Sequence, residues 1–318
     1  RKKLVASDDS IAAFTVNWNN FEDTIVCISS ILSCEEKIDV FVVDNASTDG
    51  SVSAISSAFP DINIIQSDEN LGFSGGANIA IKEILSKGYE RILSINNDAT
   101  LSRGVVSELS RALDDDPSIG ILSPWIVYPD SNKIWFAGGV YFSWLGMTMH
   151  EKKGTTLRQN RADKPVETGY VCGCCALYSS EFLIEVGLFN ENLFMYGEDL
   201  EHSLSAVRYG WRVCTLPSAV IEHKASSSTG SEQNKHFSKF RAYYYARNPI
   251  LILYRSPNSL RKLTALFSQL AIALPYSLTR MFLEGSLNSL PNYLRGLVHG
   301  FRGKGGPVVL MNSNLKIN

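Results

Sequence analysis

The 318-residue chain has no G-x-G-x-x-G turn and no phosphate loop ending in GK[ST]. Those absences argue against a dinucleotide-dependent dehydrogenase and against a P-loop nucleotidase. Cysteine is sparse: Cys27, Cys34, Cys172, Cys174, Cys175 and Cys214. Cys172 and Cys175 have C-x-x-C spacing, but the second pair that a four-thiolate zinc site needs is missing. The stretch "GYVCGCCALYSS" reads instead as a buried strand in which cysteine serves as a small hydrophobe. Such thiols fit a reducing, cytoplasmic compartment. No signal peptide is visible, and the chain starts at Arg1 rather than Met, so its natural N-terminus is expected to lie upstream.

Net charge is also small, −2, which predicts no general affinity for nucleic acid. The total hides an asymmetry. Residues 235–318 carry twelve Lys or Arg and a single acid, Glu284, while the rest carries 18 basic and 31 acidic side chains. A basic arm of this kind is expected to face something anionic. It holds the uncharged run Leu263–Thr279, "LTALFSQLAIALPYSLT", flanked by Arg261, Lys262 and Arg280. That run is shorter than the about 20 apolar residues of a spanning helix and contains Ser, Gln and Pro, so an interfacial helix is expected.

What the chain has in quantity is alternation. "IAAFTVNWNN", "IDVFVVDNASTDGS", "INIIQSDEN" and "RILSINNDAT" are apolar runs closed by polar residues. Helical patterns such as Asn78–Leu85 and Val105–Leu113 lie between them, and further strands are expected at Ile119–Val127, Gly169–Tyr178 and near Val213–Ile221. The alternation predicts an α/β fold with a mostly parallel sheet covered on both faces. Residues 128–164 read as loops with a small hairpin. From Lys235 the pattern is helical, with breaks expected at Pro249, Pro257, Pro275 and Pro291. The division is 1–235 for an α/β domain and 236–318 for a basic helical region.

Ligands of parallel sheets bind beyond the carboxyl ends of the strands, which singles out Asn17, Asp44, Asn70 and Asp98. Asp44 has the chemistry to accept from a nucleobase or ribose, or to form a turn. "NLGFSGGAN" enters a helix with Gly72, Gly75 and Gly76, either as an anion-binding turn or as a plain glycine turn. Asp98 is placed to hold Mg²⁺ or Mn²⁺ with a diphosphate, or to cap a turn. His223 ends the apolar run of "AVIEHKA", either as a structural histidine or as a metal ligand, in which case an imidazole in a shared site tilts it toward Mn²⁺. In "FMYGEDLEHSLSAVRYGW", the carboxylates Glu198, Asp199 and Glu201 either offset a helix dipole or include a base shielded by Phe194, Met195 and Tyr196.

Together and in this order, "VNWNN", "VVDNASTDGS", "NLGFSGGANIAIK", "INNDAT", "GCCALYSSEFLIEVGLFNENLFMYGEDLEHSLSA", "GW", the histidine of "IEHKA" and "YYYARN" resemble bacterial family-two inverting glycosyltransferases of the GT-A fold, most closely the rhamnosyltransferase-like branch. The resemblance covers roughly residues 12–248. It implies a Rossmann-like nucleotide-diphospho-sugar transferase fold with a C-terminal helical extension. It also implies a nucleotide-sugar site of Asn17, Asp44, Asn45, Asn70, Gly72, Phe73, Gly76, Asn78 and Asn97. Asp98, as the last residue of a degenerate DxD motif, and His223 would hold Mn²⁺ or Mg²⁺, with Asp199 as catalytic base and Glu198 and Trp211 in acceptor or supporting roles. Glu201 and His202 stand where relatives often have Asp and Leu, a departure that bears on acceptor contacts. The implied reaction moves a sugar, with L-rhamnose from dTDP-rhamnose as first choice, to a saccharide or lipid-linked saccharide of the cell surface. A UDP-hexose, UDP-galactofuranose or UDP-N-acetylhexosamine donor is the alternative, as is a non-catalytic nucleotide-sugar-binding protein of the same fold. The implied location is cytoplasmic, peripheral on the inner, anionic face of the cell membrane. The oligomeric state is not legible.

Overall fold

In the computed structural model, which describes residues 10–224 and 236–308, each apolar run closed by polar residues is a strand. β1 (Ile11–Asn17), β2 (Ile38–Asp44) and β3 (Asn63–Gln66) alternate with α1 (Phe21–Leu32) and α2 (Ser51–Ala58). α3 (Gly72–Ser86) leads to β4 (Arg91–Ile95), followed by β5 (Ala99–Leu101), α4 (Val105–Asp115), β6 (Ile119–Val127) and β7 (Ile134–Phe136). The expected hairpin is β8 (Gly139–Phe142) with β9 (Met147–His150). Then come β10 (Val166–Glu167), β11 (Cys175–Ser179), α5 (Ser180–Val186), α6 (Glu198–Arg208) and the long β12 (Arg212–His223). The C-terminal region holds α7 (Lys239–Tyr254), α8 (Ser259–Ser268), a π-helical segment Gln269–Ala273, α9 (Leu274–Leu283) and α10 (Leu290–Phe301).

The main sheet has the order β10-β12-β6-β11-β4-β1-β2-β3, with β5 added on β12 and β7 on β6. β1 is parallel to β2 and β4, and β2 to β3. β11 is antiparallel to both its neighbours, β4 and β6, which makes β6 and its parallel partner β12 point the same way as β1 to β4. Six strands therefore end on one edge of the sheet. β11 begins there, because Cys175 pairs with Ile95.

Side chains alternate between two covered faces, as a strand period of two requires. Ala12, Phe14, Phe41 and Val43 pack with Ala77, Ala80, Ile81 and Ile84 of α3. Ile11, Ala13, Val40 and Val42 pack with Cys27, Ile28 and Ile31 of α1. This double burial is why the strands read as near-continuous apolar runs.

Two expectations need correction. "GYVCGC" is not part of a strand: Gly173 and Cys174 form a turn, and β11 starts only at Cys175. The turn is fixed by Asn96 N–H donating to Cys174 O at 2.8 Å and by Gly173 N–H donating to a side chain of α6. The thiols there are buried and held neutral by burial, as the small-hydrophobe reading requires. Pro249 does not break a helix but lies inside α7. Both flanks of α7 are packed, and α10 comes so close that a Cβ on Gly296 would sit 2.3 Å from Tyr243 O. Pro257 does separate two helices, and Pro275 and Pro291 stand in first turns, where proline is tolerated.

Candidate active site

The shared strand edge collects the candidate residues. Asn17 and Asp44 end β1 and β2, Asn97 and Asp98 follow β4, and His223 ends β12. A chain of buried hydrogen bonds joins the ends of β1, β2 and β4. Asn97 Nδ2 donates to Thr24 Oγ1 at 3.0 Å, Thr24 Oγ1 donates to Asn17 Oδ1 at 2.7 Å, and Asn17 Nδ2 donates to Asp44 Oδ1 at 2.8 Å. Ser47 N–H donates to Asp44 Oδ2 at 2.9 Å. Each donor satisfies a polar group that burial would otherwise leave costly, so the side chains are locked in place. Asn17 and Asn97 orient Asp44 through this chain, and sequence reasoning missed Thr24 and Ser47 as its links. Their signal was only that they are hydroxyl residues beside the strand ends.

The glycine-rich loop is tied to β2 by Asn45. Its Nδ2 donates to Asn70 Oδ1 at 3.1 Å and Gly72 O at 3.0 Å, and its Oδ1 accepts from Leu71 N–H at 3.0 Å. The glycines serve close packing within the chain. Gly72 has φ +69°, and a Cβ there would meet Phe194 O at 2.3 Å; a Cβ on Gly76 would meet Val16 at 2.8 Å. The backbone that approaches Gly72 is that of Phe194. Asn78 is likewise turned inward: Nδ2 donates to Phe189 O at 2.9 Å and Glu191 Oε1 at 2.8 Å, while Oδ1 accepts from Phe189 N–H at 3.0 Å. Phe73 meets Phe189 edge to face. Gly72, Phe73, Gly76 and Asn78 therefore shape the floor from behind.

Asp98 and His223 are both buried, and His223 Nε2 lies 3.0 Å from Asp98 Oδ1. β5 pairs with β12 through Ala99 and His223, which brings these distant residues together. His223 Nδ1 is buried without a hydrogen-bond partner among the described residues, and the ring meets Trp135 edge-on at 4.7 Å. Among the described residues no third His, Cys, Asp or Glu joins the pair as a cation site. Two adjacent ligands of an octahedral ion with bonds of about 2.1 Å stand about 3 Å apart. The pair fits a divalent cation that takes its remaining oxygens from a diphosphate.

Glu198 and Asp199 open α6. Gly173 N–H donates to Asp199 Oδ2 at 2.9 Å, and Leu200 N–H donates to Asp199 Oδ1 at 2.7 Å. The first bond carries Asp199 to the strand edge, because the Gly173 turn precedes β11 at that edge. Burial raises the pKa of both carboxyls, but their surroundings differ. Two backbone N–H groups favour the charged form of Asp199. Glu198 is deeper, its Oε2 has no hydrogen-bond partner among the described residues, and burial, then the Asp199 charge, push it up to about 8. The unequal hydrogen bonding of this pair favours the charge on Asp199, half-buried at the site, and the proton on Glu198 behind it.

Trp211 is not brought to this site. It precedes β12, so it stands at the opposite sheet edge, where Nε1 donates to Glu185 at 3.0 Å and the ring packs on Phe182. Glu201 and His202 are structural. Glu201 is buried and pairs with Arg255, which caps α7, at 2.8 Å. His202 lies between Phe182 and Phe189 with Nε2 at 3.0 Å from Gly187 O, and burial lowers its pKa to about 4.

The family model described as glycosyl transferase family 2 matches residues 13–187. The chain is similar to the N-acetylglucosaminyl-diphospho-decaprenol L-rhamnosyltransferase of Mycobacterium tuberculosis, 28% identical over 227 residues, 65% of this chain and 73% of that one. It is also similar to dTDP-rhamnosyl transferase RfbF of Shigella flexneri, 25% identical over 223 residues, 69% of this chain and 72% of that one. Among solved structures, TarS 1-349 of S. aureus in complex with UDP-GlcNAc aligns with a TM-score of 0.59 at 16% identity, over 93% of this chain and 82% of that one.

The raised Glu198 pKa has a consequence for stability. A carboxyl whose pKa is higher folded than unfolded contributes fully below its unfolded pKa, and that contribution is lost as pH rises through the folded value. Replacing Glu198 by Gln removes the titration. E198Q is expected to melt with the wild type near pH 4 and increasingly above it between pH 4.5 and about 8. Thermal melts across that range measure the difference; a constant gap at every pH would refute the buried neutral Glu198.

Proposed function

The chain belongs to glycosyl transferase family 2, in its rhamnosyltransferase-like branch, and we propose that it moves L-rhamnose from dTDP-rhamnose, with inversion, onto a hydroxyl of a saccharide or lipid-linked saccharide. The observation that carries this reading is Asp199, an oriented carboxylate anchored to the strand edge where a nucleotide sugar would bind. Asp199 takes the proton from the acceptor hydroxyl. That oxygen then forms its bond to the anomeric carbon on the face opposite the diphosphate, and the bond from that carbon to the diphosphate oxygen breaks. Glu198, held neutral, adds no second negative charge to repel the leaving diphosphate. Asp44 accepts from the base or ribose, with Asn17 and Asn97 orienting it and Asn45 and Asn70 shaping the adjoining wall.

Asp98 and His223 are the residues that would hold Mn²⁺ or Mg²⁺. A divalent ion there supplies neutralisation of charge on the departing diphosphate. With two protein ligands, affinity for the ion depends on the nucleotide.

The region 236–318 is proposed as a basic helical part that docks on an anionic membrane from the cytoplasmic side. Among the described residues no helix is long and apolar enough to cross a membrane. α8 and α9 nevertheless expose large apolar side chains: Leu263 66%, Phe267 71%, Phe282 70% and Leu283 71%. Arg261, Lys262 and Arg280 lie beside them. Apolar side chains flanked by basic ones match the boundary between acyl chains and anionic headgroups.

Three measurements test this reading. Asp199→Asn keeps shape and loses basicity, so transfer is expected to fall by about 10²–10⁴-fold, the usual contribution of a general base, with nucleotide binding retained. Near-normal turnover by folded D199N would remove Asp199 from the role. Activity is expected to stop in excess chelator, and Asp98→Ala and His223→Ala are each expected to raise the Mn²⁺ concentration for half-maximal rate; full activity in chelator refutes the metal. In liposome flotation, the protein should rise with anionic vesicles more than with neutral ones, and less at high salt. Equal failure with both at low salt would leave the helices as a cap on the catalytic part.

A further inference from the structure

The segment that delivers Asp199 to the site is held in an unfavourable shape. Phe194 has φ +63° and ψ −59°, and Met195 N–H donates back to Leu193 O at 2.7 Å. This is a γ-turn of the positive-φ kind, which is rare and strained for a residue with a side chain. Tyr196 follows at φ +69° and Gly197 at +91°, and Glu198 begins α6 directly after. Left-handed Phe and Tyr cost about 1–3 kcal/mol each and persist where surrounding structure over-determines them.

Two adjacent residues of α7 supply that determination. Asn248 Nδ2 lies within hydrogen-bond distance of three carbonyls of the turn: Leu193 O at 3.0 Å, Met195 O at 2.8 Å and Tyr196 O at 2.6 Å. Its Oδ1 accepts from Arg247 Nε at 2.8 Å, which aims the amide nitrogen at the turn. Arg247 is wholly buried, and no carboxylate among the described residues pairs with it. Its Nη2 instead donates to Asn192 O at 3.0 Å and Leu193 O at 2.9 Å, and Nη1 to Gly306 O. The guanidinium rests against the ring of Tyr244 at 4.7 Å, and Tyr244 in turn stacks on Phe194 at 5.5 Å and 12°. A buried, unpaired cation is costly unless every donor is used. Here Nη2 is spent on Asn192 O and Leu193 O at the start of the turn, Nε on Asn248, which holds the rest of it, and Nη1 on Gly306 O.

We propose that Arg247 and Asn248 are positioning residues for transfer, holding the strained Leu193–Tyr196 turn so that Asp199 meets the acceptor hydroxyl in register. The inference rests on Asp199 being the base. It extends that reading by placing control of the base in the C-terminal helical region, about fifty residues along the chain from the carboxylate it controls.

The test uses the full chain and three variants, Asn248→Ala, Asn248→Asp and Arg247→Lys. N248D keeps the shape and the contact with Arg247 while losing the donors to the three carbonyls. Each variant is checked by thermal melting and by nucleotide-binding stoichiometry, and kcat is expressed per nucleotide-binding site. Misplacement of a reacting group by about 1 Å costs on the order of 10²-fold. The folded variants should show a kcat loss of that order with the donor KM little changed. The share of donor lost to water rather than transferred should rise, and a smaller folded population would not move that share. R247K should fall between wild type and N248A. Folded N248A or N248D with wild-type kcat and an unchanged hydrolysis share would overturn the proposal. Failure of all three to fold would also overturn it, because the pair would then serve the fold and not the base. D199N is run in parallel: if it stays active, the base assignment fails whatever the other variants do. If it is dead while N248A and N248D are normal, the positioning role alone fails.

Discussion

The Gly173 N–H to Asp199 Oδ2 hydrogen bond joins the two halves of the site. On one side stands the parallel sheet, whose strand directions bring Asn17, Asp44, Asp98 and His223 to one edge. On the other stands α6, which would otherwise present its acidic first turn to solvent as an ordinary dipole partner. The bond is possible because β11 runs against its neighbours, so that its first residues, and the turn before them, lie at the edge where the other strands end. A strand parallel to its neighbours would have put that turn at the far edge, with Trp211.

The second constraint is electrostatic. Adjacent buried carboxyls cannot both ionise cheaply, and the structure resolves the conflict by unequal hydrogen bonding. Asp199 receives two backbone donors, and Glu198 Oε2 receives none among the described residues. Burial dominates at His202, whose place between Phe182 and Phe189 disfavours the imidazolium. Glu201 and His202 both lie on the buried face of α6.

Much of this was legible in the sequence, for physical reasons that differ by element. β1, β2 and β6 announce themselves because both faces are buried, so nearly every residue is apolar until the edge. The candidate residues at the sheet edge were legible because polar side chains end those runs. The Gly72 loop misled because a glycine that admits a ligand and one that admits another stretch of backbone look alike; Phe194 occupies the space. Asn78 misled for the same reason, since a buried asparagine bonding its own chain has the same letter as one bonding a ligand. Thr24, Ser47 and Gly173 act through contacts whose partners are distant in sequence, and no local pattern encodes them. Pro249 looked like a break because local rules forbid proline in a helix interior, and packing on both flanks of α7 overrides them.

The proposed boundary near residue 235 divides the chain by charge and composition, yet the bonds across it are not those of an independent module. Arg255 at the end of α7 pairs with buried Glu201 of α6, Gln269 donates to Leu145 O and Gly146 O, and Asn248 reaches three carbonyls of the turn before Asp199. Ile252 belongs to the apolar core beneath the sheet. One face of the helical region is therefore part of the α/β unit, and a different face, on α8 and α9, carries the exposed Leu and Phe side chains. An element built this way can sit on a surface and still be rigidly coupled to the carboxylate. If the apolar face meets the membrane, α7 passes that orientation to the turn of Leu193–Tyr196, and an acceptor presented from the lipid surface meets a base whose position is already set.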